Sequence, residues 1–544
     1  MRKDRPPTAF AIVALLVGIT TACSNAASPT ATTAGQPAAT AIAATPTGAA
    51  RSASPGPPAT PTRAGTPATP AAPVASPSAP GSPAAAQPAG DWVRFGFDPA
   101  RSGVNPGETR ITPATVGGLH RLWRVMLPGV ADSSPVLLHA LPFPDGATRD
   151  VLYATTRDGR LLALDAASGA LLWAKQPSGP KITHSSPVAD PARRIVYAYG
   201  LDGALHRYAA VTGEELAGGG WPVQVTQLRQ TEKESSALNI VEGRVYVTTS
   251  GYFGDAPPYQ GHVLVVDPDS GAAQVFNSLC SDVHHLLADK ECRSNRSGIW
   301  ARGGTIVDPA TGNLFVATGN GPYDADRGGA DYGDSVLELS PDGARLLDSY
   351  TPATYQELDD TDGDLGSTAP ALLPPISGSK TPLLAVQGGK DRQLRLLNRQ
   401  DLSGRGGPGH VGGGLQAIES AGCATFAQPV VWTDPDGAVW VIVAGTCGID
   451  AYRAVTDGAG ATRLQPAWKS PAAATTPVIA GGVLFAATSG AVLALDPRTG
   501  RQLWSSAQPG AGGTIGGIHW ESPIVIGGVL YVAAEGGALA AYGP

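Results

Sequence analysis

The chain has 544 residues, with 38 Lys or Arg against 45 Asp or Glu. That mild acidic excess supplies no electrostatic footprint for nucleic acid, so no such partner is expected. Gly (70) and Pro (49) are abundant and only 15% of residues are charged, yet 42% are apolar, enough to bury a large core.

The N-terminus reads as an export signal. Arg2, Lys3 and Arg5 precede an apolar run, Phe10 to Ile19, that is too short to span a bilayer. Thr20-Thr21-Ala22-Cys23 follows and resembles a bacterial lipobox, with Thr20 where an aliphatic residue is usual. Residues 1–22 are therefore expected to be a lipoprotein-type signal peptide and Cys23 the lipidated residue. This implies an extracytoplasmic protein, anchored to the cell membrane by lipid alone. An ordinary cleaved signal with an incidental cysteine is the alternative. Residues 23–90 are nearly all Ala, Pro, Thr, Ser and Gly, with two charges, Arg51 and Arg63, and no aromatic side chain. Such a segment cannot bury enough apolar surface to offset chain entropy, so a disordered tether is expected.

Aromatic residues return at Asp91-Trp92. From there to residue 544 short apolar strands alternate with Asp-Gly and Thr-Gly turns. Val492-Leu-Ala-Leu-Asp-Pro-Arg-Thr-Gly-Arg-Gln-Leu-Trp504 and Leu161-Leu-Ala-Leu-Asp-Ala-Ala-Ser-Gly-Ala-Leu-Leu-Trp173 are the cleanest copies of one unit. Its period-2 alternation predicts strands. Gly169, Gly213, Gly271 and Gly500 suit tight hairpins, and the Trp is expected to pack between neighbouring sheets.

Repeats of this length with four short strands signify propeller blades. Starts fall near Ser134-Pro135, Ser186-Pro187, Ser236-Ala237, Gly303-Gly304, Ala369-Pro370, Gln428-Pro429, Thr476-Pro477 and Ser522-Pro523. The expected fold is all-β: an eight-bladed propeller of four-stranded antiparallel blades, preceded by the tether. The last copy stops after three strands, at Tyr542, so residues 119–126 are expected to supply its outer strand and close the ring. No helix-length amphipathic stretch is apparent in this body. The remaining cysteines form two local pairs, Cys280 with Cys292 and Cys423 with Cys447. An oxidising compartment makes disulfides the default. His284 and His285 allow a zinc alternative for the first pair, though the spacing is not that of a closed site.

The A-x-D-x-x-T-G-x-x-x-W pattern at 163–173 and 494–504 resembles the pyrroloquinoline-quinone (PQQ) repeat. Asp91-Trp-Val-Arg-Phe-Gly-Phe-Asp-Pro-Ala-Arg-Ser-Gly103 is similar to the opening segment of bacterial PQQ-like propellers. That superfamily holds quinoprotein alcohol dehydrogenases and cofactor-free propellers alike. In the dehydrogenases PQQ lies over a Trp near the axis, beside Ca²⁺ or a lanthanide. Gly319-Asn320-Gly-Pro322 resembles their G-N-P turn, which implies Asn320 as an ion ligand. Gln387-Gly-Gly-Lys390 resembles their Q-A-P-K segment, which implies Lys390 at the quinone oxygens. The run Asp359-Asp-Thr-Asp362-Gly-Asp364 resembles H-D-x-W-D-x-D and implies Asp359 as the catalytic carboxylate; Trp300 lies near the stacking position.

Departures weigh against a cofactor. The loop 250–261 lacks the ion-binding Glu of blade three, with Asp255 the one nearby substitute. The vicinal Cys-Cys cover is missing, and Thr361 replaces the Trp of the W-D motif. The carboxylate run also reads as a plain exposed loop. Glu521, Lys233 and Glu234 precede inner strands and are expected to line the same mouth. No G-x-S-x-G or H-E-x-x-H motif suggests a hydrolase. Two readings follow. The first is a non-catalytic binding or assembly module that engages a protein or small molecule through the propeller face. The alternative is a PQQ- and Ca²⁺-dependent dehydrogenase of an alcohol or sugar.

Overall fold

A computed structural model describes residues 90–544, except 177, 178, 180, 181, 421 and 422. The signal peptide, Cys23 and all of the expected tether 23–90 except Gly90 lie outside the described residues. The body is a propeller of eight sheets. Blade 1 runs Val136–Pro142, Thr148–Thr155, Leu161–Asp165 and Leu171–Lys175, each strand antiparallel to the last. Blades 2 to 7 repeat this order, and blade 8 starts at Ile524–Ile526. The turn glycines 169, 213, 271 and 500 all have positive φ, near +70°.

The outer-strand Trp residues join neighbouring blades. Nε1–H of Trp173 donates to the Ala210 carbonyl (3.1 Å), and that of Trp468 to Pro497 (2.9 Å). Each acceptor lies in the third turn of the following blade, so one side chain fills the gap between sheets and satisfies its own polar atom. The ring closes as the three-strand final repeat requires. His120–Met126 pairs antiparallel with Ala538–Gly543, and Trp123 donates to Ala166 of blade 1 (3.1 Å).

The segment before that strand lines the hub. Trp92 pairs with Leu137 of blade 1, Val93 O accepts from Ala189 of blade 2, and Arg94 donates to Ile240 of blade 3. Pro99 O accepts from Val307 of blade 4, Ser102 O from Val431 of blade 6, and Gly103 O from Ile479 of blade 7. Asn105 then donates to Val525 of blade 8 (2.9 Å). Within this loop Arg101, fully buried, donates to the carbonyls of Phe95, Gly303, Ala237 and Leu238.

Disulfides join Cys280 to Cys292 and Cys423 to Cys447, with Cα atoms 6.1 and 5.6 Å apart. One element departs from expectation. Tyr355–Thr361 is an α-helix of seven residues, so Asp359 sits on a helix and not in an open loop. Leu358 buries the helix against blades 4 and 5, and Asp362 ends it in the left-handed conformation (φ +55°).

Candidate axial site

Because the first and second strands of a blade are antiparallel, the segment leading into the first and the loop leaving the second share one face of the disk. At the hub of that face Trp300 (leading into blade 4), Phe426 (blade 6) and Trp520 (blade 8) meet with ring centroids 6.0–6.4 Å apart. Side chains from such distant blades converge only near the axis.

Lys390, in the loop leaving the second strand of blade 5, lies on one side of this aromatic centre. Its Nζ is 5.2 Å from the Trp300 centroid, 2.6 Å from Asp362 Oδ1 and 2.5 Å from Asp364 Oδ2. The two carboxylates differ in environment: Asp362 is 61% exposed at its side chain and Asp364 only 3%. The Asn320 backbone N–H donates to Asp364 Oδ1 at 2.5 Å. A Cβ at Gly319 would stand 2.5 Å from Asp364 Oδ1 and 3.0 Å from Trp300 Nε1, so a larger residue there would displace the Asp364 carboxylate. Gln387 holds the segment from beneath, its amide donating to the carbonyls of Leu365 and Thr368 (both 2.8 Å). Burial works against the charge on Lys390, but Asp364 and Asp362 outweigh it and raise its pKa. Burial raises Asp364 despite Lys390. It lifts Asp334 well above the usual range, helped by Asp364 and Asp359.

The structure gathers Trp300, Asn320 and Lys390, as the motifs imply, but not Asp359 or Asp255. Asp359 projects from its helix to Arg296 (2.8 Å), and Asp362 and Asp364 hold Lys390 in its place. The cause is the helix end at Asp362, which turns the last carboxylates of the run inward. Asp255 is exposed and accepts from the Tyr259 hydroxyl (3.0 Å). Arg296 and Ser297, beside the site, both hold left-handed backbone (φ +83° and +55°), strain of a kind that clusters at functional sites.

A second cluster lies on the other side of Trp520. Asp132 Oδ2 is 2.8 Å from Arg157, from His184 Nδ1 and from His519 Nδ1, and its Oδ1 accepts from the Trp520 N–H (3.0 Å). Burial opposes the charge on Asp132, yet the two imidazoles hold its pKa far down. Burial pushes His184 down to about 4, with Lys233 and Arg302 adding to the effect. Lys233, Glu234 and Arg302 are buried beside it. Burial lowers Lys233 to about 7 and raises Glu234 to about 8. Motif reading passes over Asp132, His184 and Phe426. Asp132, His184, Glu234, Phe426 and Trp520 stand at equivalent positions, two residues before the first residue of each blade-start pair, and that register is the signal that finds them.

A family profile described as outer membrane protein assembly factor BamB matches residues 118–298 and 450–543. The chain belongs to the PQQ-repeat β-propeller family, within the quinoprotein alcohol dehydrogenase-like superfamily. It is similar to the quinohemoprotein alcohol dehydrogenase ADH IIB of Pseudomonas putida, 28% identical over 291 residues, which is 48% of this chain and 40% of that protein. The dehydrogenase subunit of the quinone-type alcohol dehydrogenase of Gluconobacter oxydans is 24% identical over 313 residues, 50% of this chain and 39% of that one. The chain therefore spans about two fifths of the length of these curated relatives. Among solved structures, the quinohemoprotein alcohol dehydrogenase ADHIIG of P. putida HK5 matches with a TM-score of 0.60 at 16% identity, covering 84% of this chain and 80% of that one. A europium-containing methanol dehydrogenase matches with 0.57 at 16%, covering 84% and 98%. These likenesses establish the shared fold.

Proposed function

We propose that this propeller is a PQQ-dependent dehydrogenase whose cofactor site is the Lys390 side of the axial mouth. The observation that carries the reading is Lys390 itself, a cation over the Trp300 face and clamped by a buried carboxylate. A planar, anionic quinone suits that aromatic face and cation. The donor set beside it suits a hard, oxygen-liganded ion. Beside Asn320, buried Asp334 Oδ2 meets no donor. Trp300 would stack on PQQ, Lys390 would reach its quinone oxygens, and Asn320 and Asp364 would ligate Ca²⁺. Bound there, PQQ supplies a two-electron acceptor for an alcohol or sugar, the substrate class that the relatives' names support. Asp362 is the carboxylate that can take the substrate's hydroxyl proton, because it is exposed beside Lys390. Asp359, the residue that resemblance chooses, points to Arg296 rather than to Lys390.

The exposure of Asp255 favours a second reading. Among the described residues no blade-three carboxylate completes the ion's oxygen shell, as a non-catalytic binding or assembly module would allow. Such a module would engage a protein or small molecule on this face, outside the cytoplasm, on a lipid anchor at Cys23. Adding PQQ and Ca²⁺ to the purified chain separates the two. The dehydrogenase gives a saturable bound-quinone spectrum that Lys390→Met abolishes, and alcohol-dependent dye reduction that Asp362→Asn abolishes while binding persists. A chain that takes up no quinone overturns it in favour of the module.

A further inference from the structure

The second cluster carries more than the quinone reading uses. One ligand atom from each of Asp132, His184 and His519 lies within 4.8 Å of the others, and a second triad of the same kind joins Asp132 to Glu521 and Glu535. Both imidazoles present Nδ1 to the same oxygen, Asp132 Oδ2, at 2.8 Å. Glu521 is fully buried; its Oε2 accepts from the His519 N–H at 2.5 Å, while its Oε1 meets no donor. Glu535 divides in the same way: Oε1 pairs with Arg157 (2.5 Å) and Oε2 has no partner. A buried carboxylate oxygen without a donor is costly, and two residues with such an oxygen form the triad that shares Asp132 with the two imidazoles.

We infer that Asp132, His184 and His519, with Glu521 and Glu535 on the other side of the shared Asp132, form a binding site for a divalent transition-metal ion. Imidazole nitrogens mixed with carboxylate oxygens suit Zn²⁺, Co²⁺, Fe²⁺ or Mn²⁺, whereas Ca²⁺ takes oxygen ligands. Of the surrounding cations, Arg157 is paired with Asp132 and Glu535, and Lys233 and Arg302 lie beside Glu234. Each imidazole would ligate through Nδ1 with its ring proton on Nε2, and Arg157 keeps its bond to Glu535 Oε1. Asp132 and His184 lead into blades 1 and 2, His519 and Glu521 lead into blade 8 and Glu535 lies in a turn of blade 8, so the ion would tie blade 8 to the first blades where the ring closes. This site owes nothing to Lys390 or to a quinone.

The test uses metal-free full-length protein and Co²⁺, whose d–d absorption reports imidazole ligation. One equivalent should saturate the band, and the melting temperature should rise with added Co²⁺, since the ion binds the folded chain alone. His519→Ala removes a half-exposed ring, so it leaves the fold intact. It should weaken Co²⁺ affinity at least ~10-fold, in the range that metal-site substitutions produce, and suppress the melting shift. His184→Ala should do the same. Lys390→Met should leave the titration unchanged, which separates failure of this site from failure of the quinone site. The inference is overturned by a chain with no saturable band. It falls equally if both histidine variants titrate like the parent, placing cobalt elsewhere, for example on His284 and His285. Displacement of Co²⁺ by equimolar Ca²⁺ would also overturn it.

Discussion

Lys390 is held by two carboxylates of unequal exposure, and the inequality dictates what its loss does. Lys390→Met leaves Asp364 buried and unpaired, which should cost about 3 kcal/mol. The double variant with Asp364→Asn should regain most of that, a coupling that urea unfolding of the four-member cycle measures. Glu234 gives a pH signature. It is fully buried, and its pKa is raised from 4.5 to about 8, chiefly by burial. A carboxyl group raised in the folded state contributes its full stability below about pH 4.5 and loses it as pH climbs toward 8. Lys233, lowered to about 7, is protonated in folded and unfolded chains below that pH and adds no slope there. Glu234→Gln should therefore flatten the decline between about pH 5 and pH 7 by up to roughly 3 kcal/mol, at 1.36 kcal/mol per unit. Parallel slopes for parent and variant would refute a neutral Glu234. Trp300, Asn320 and Lys390 are legible in the sequence because short motifs carry them. Asp364 is not, because choosing among the carboxylates at 359, 360, 362 and 364 requires knowing where a seven-residue helix stops, and local pattern leaves that open.

The blade turns show how one glycine serves two constraints. Gly500 combines φ +70° with a ring at its face: a Cβ would stand 2.5 Å from Trp468 Cε3. Gly378 has φ +77° but nothing within 4 Å. Gly378→Ala should cost about 1 kcal/mol, the left-handed penalty alone. Gly500→Ala adds overpacking against Trp468 and should cost about 3 kcal/mol, a difference that thermal melts of the two variants would read. Equal losses would mean that the Trp ring yields freely. Strands, turns and blade count are legible because each repeat carries its own period-2 pattern and turn residues. The mouth is much less so. Asp132, His184 and His519 are neighbours only because blades 1, 2 and 8 are adjacent in the closed ring, and no spacing along the chain encodes that adjacency. Aligning blade starts recovers the positions but not the contacts.

At the scale of the whole molecule, the segment from Trp92 to Met126 does two jobs. It first lines the hub, with Arg101 anchored to four carbonyls, and then supplies the outer strand of blade 8. These jobs predict a graded response to N-terminal truncation. A chain starting at residue 90 keeps every contact among the described residues and should melt like the parent. One starting at residue 104 loses the hydrogen bonds to the inner strands of blades 1, 2, 3, 4, 6 and 7, and with them Arg101. It should unfold at markedly lower temperature, because the carbonyls that Arg101 satisfied are left in a buried hub. A chain starting at residue 127 also uncovers Ala538–Gly543, leaving an apolar strand with a free edge that invites pairing with a second copy. That chain should self-associate in size-exclusion chromatography with light scattering, whereas the chain from residue 104 should remain monomeric while folded. If the chain from residue 127 were monomeric and as stable as the parent, closure by the two termini would contribute nothing to the ring, and the pairing of Trp123 with blade 1 would be incidental.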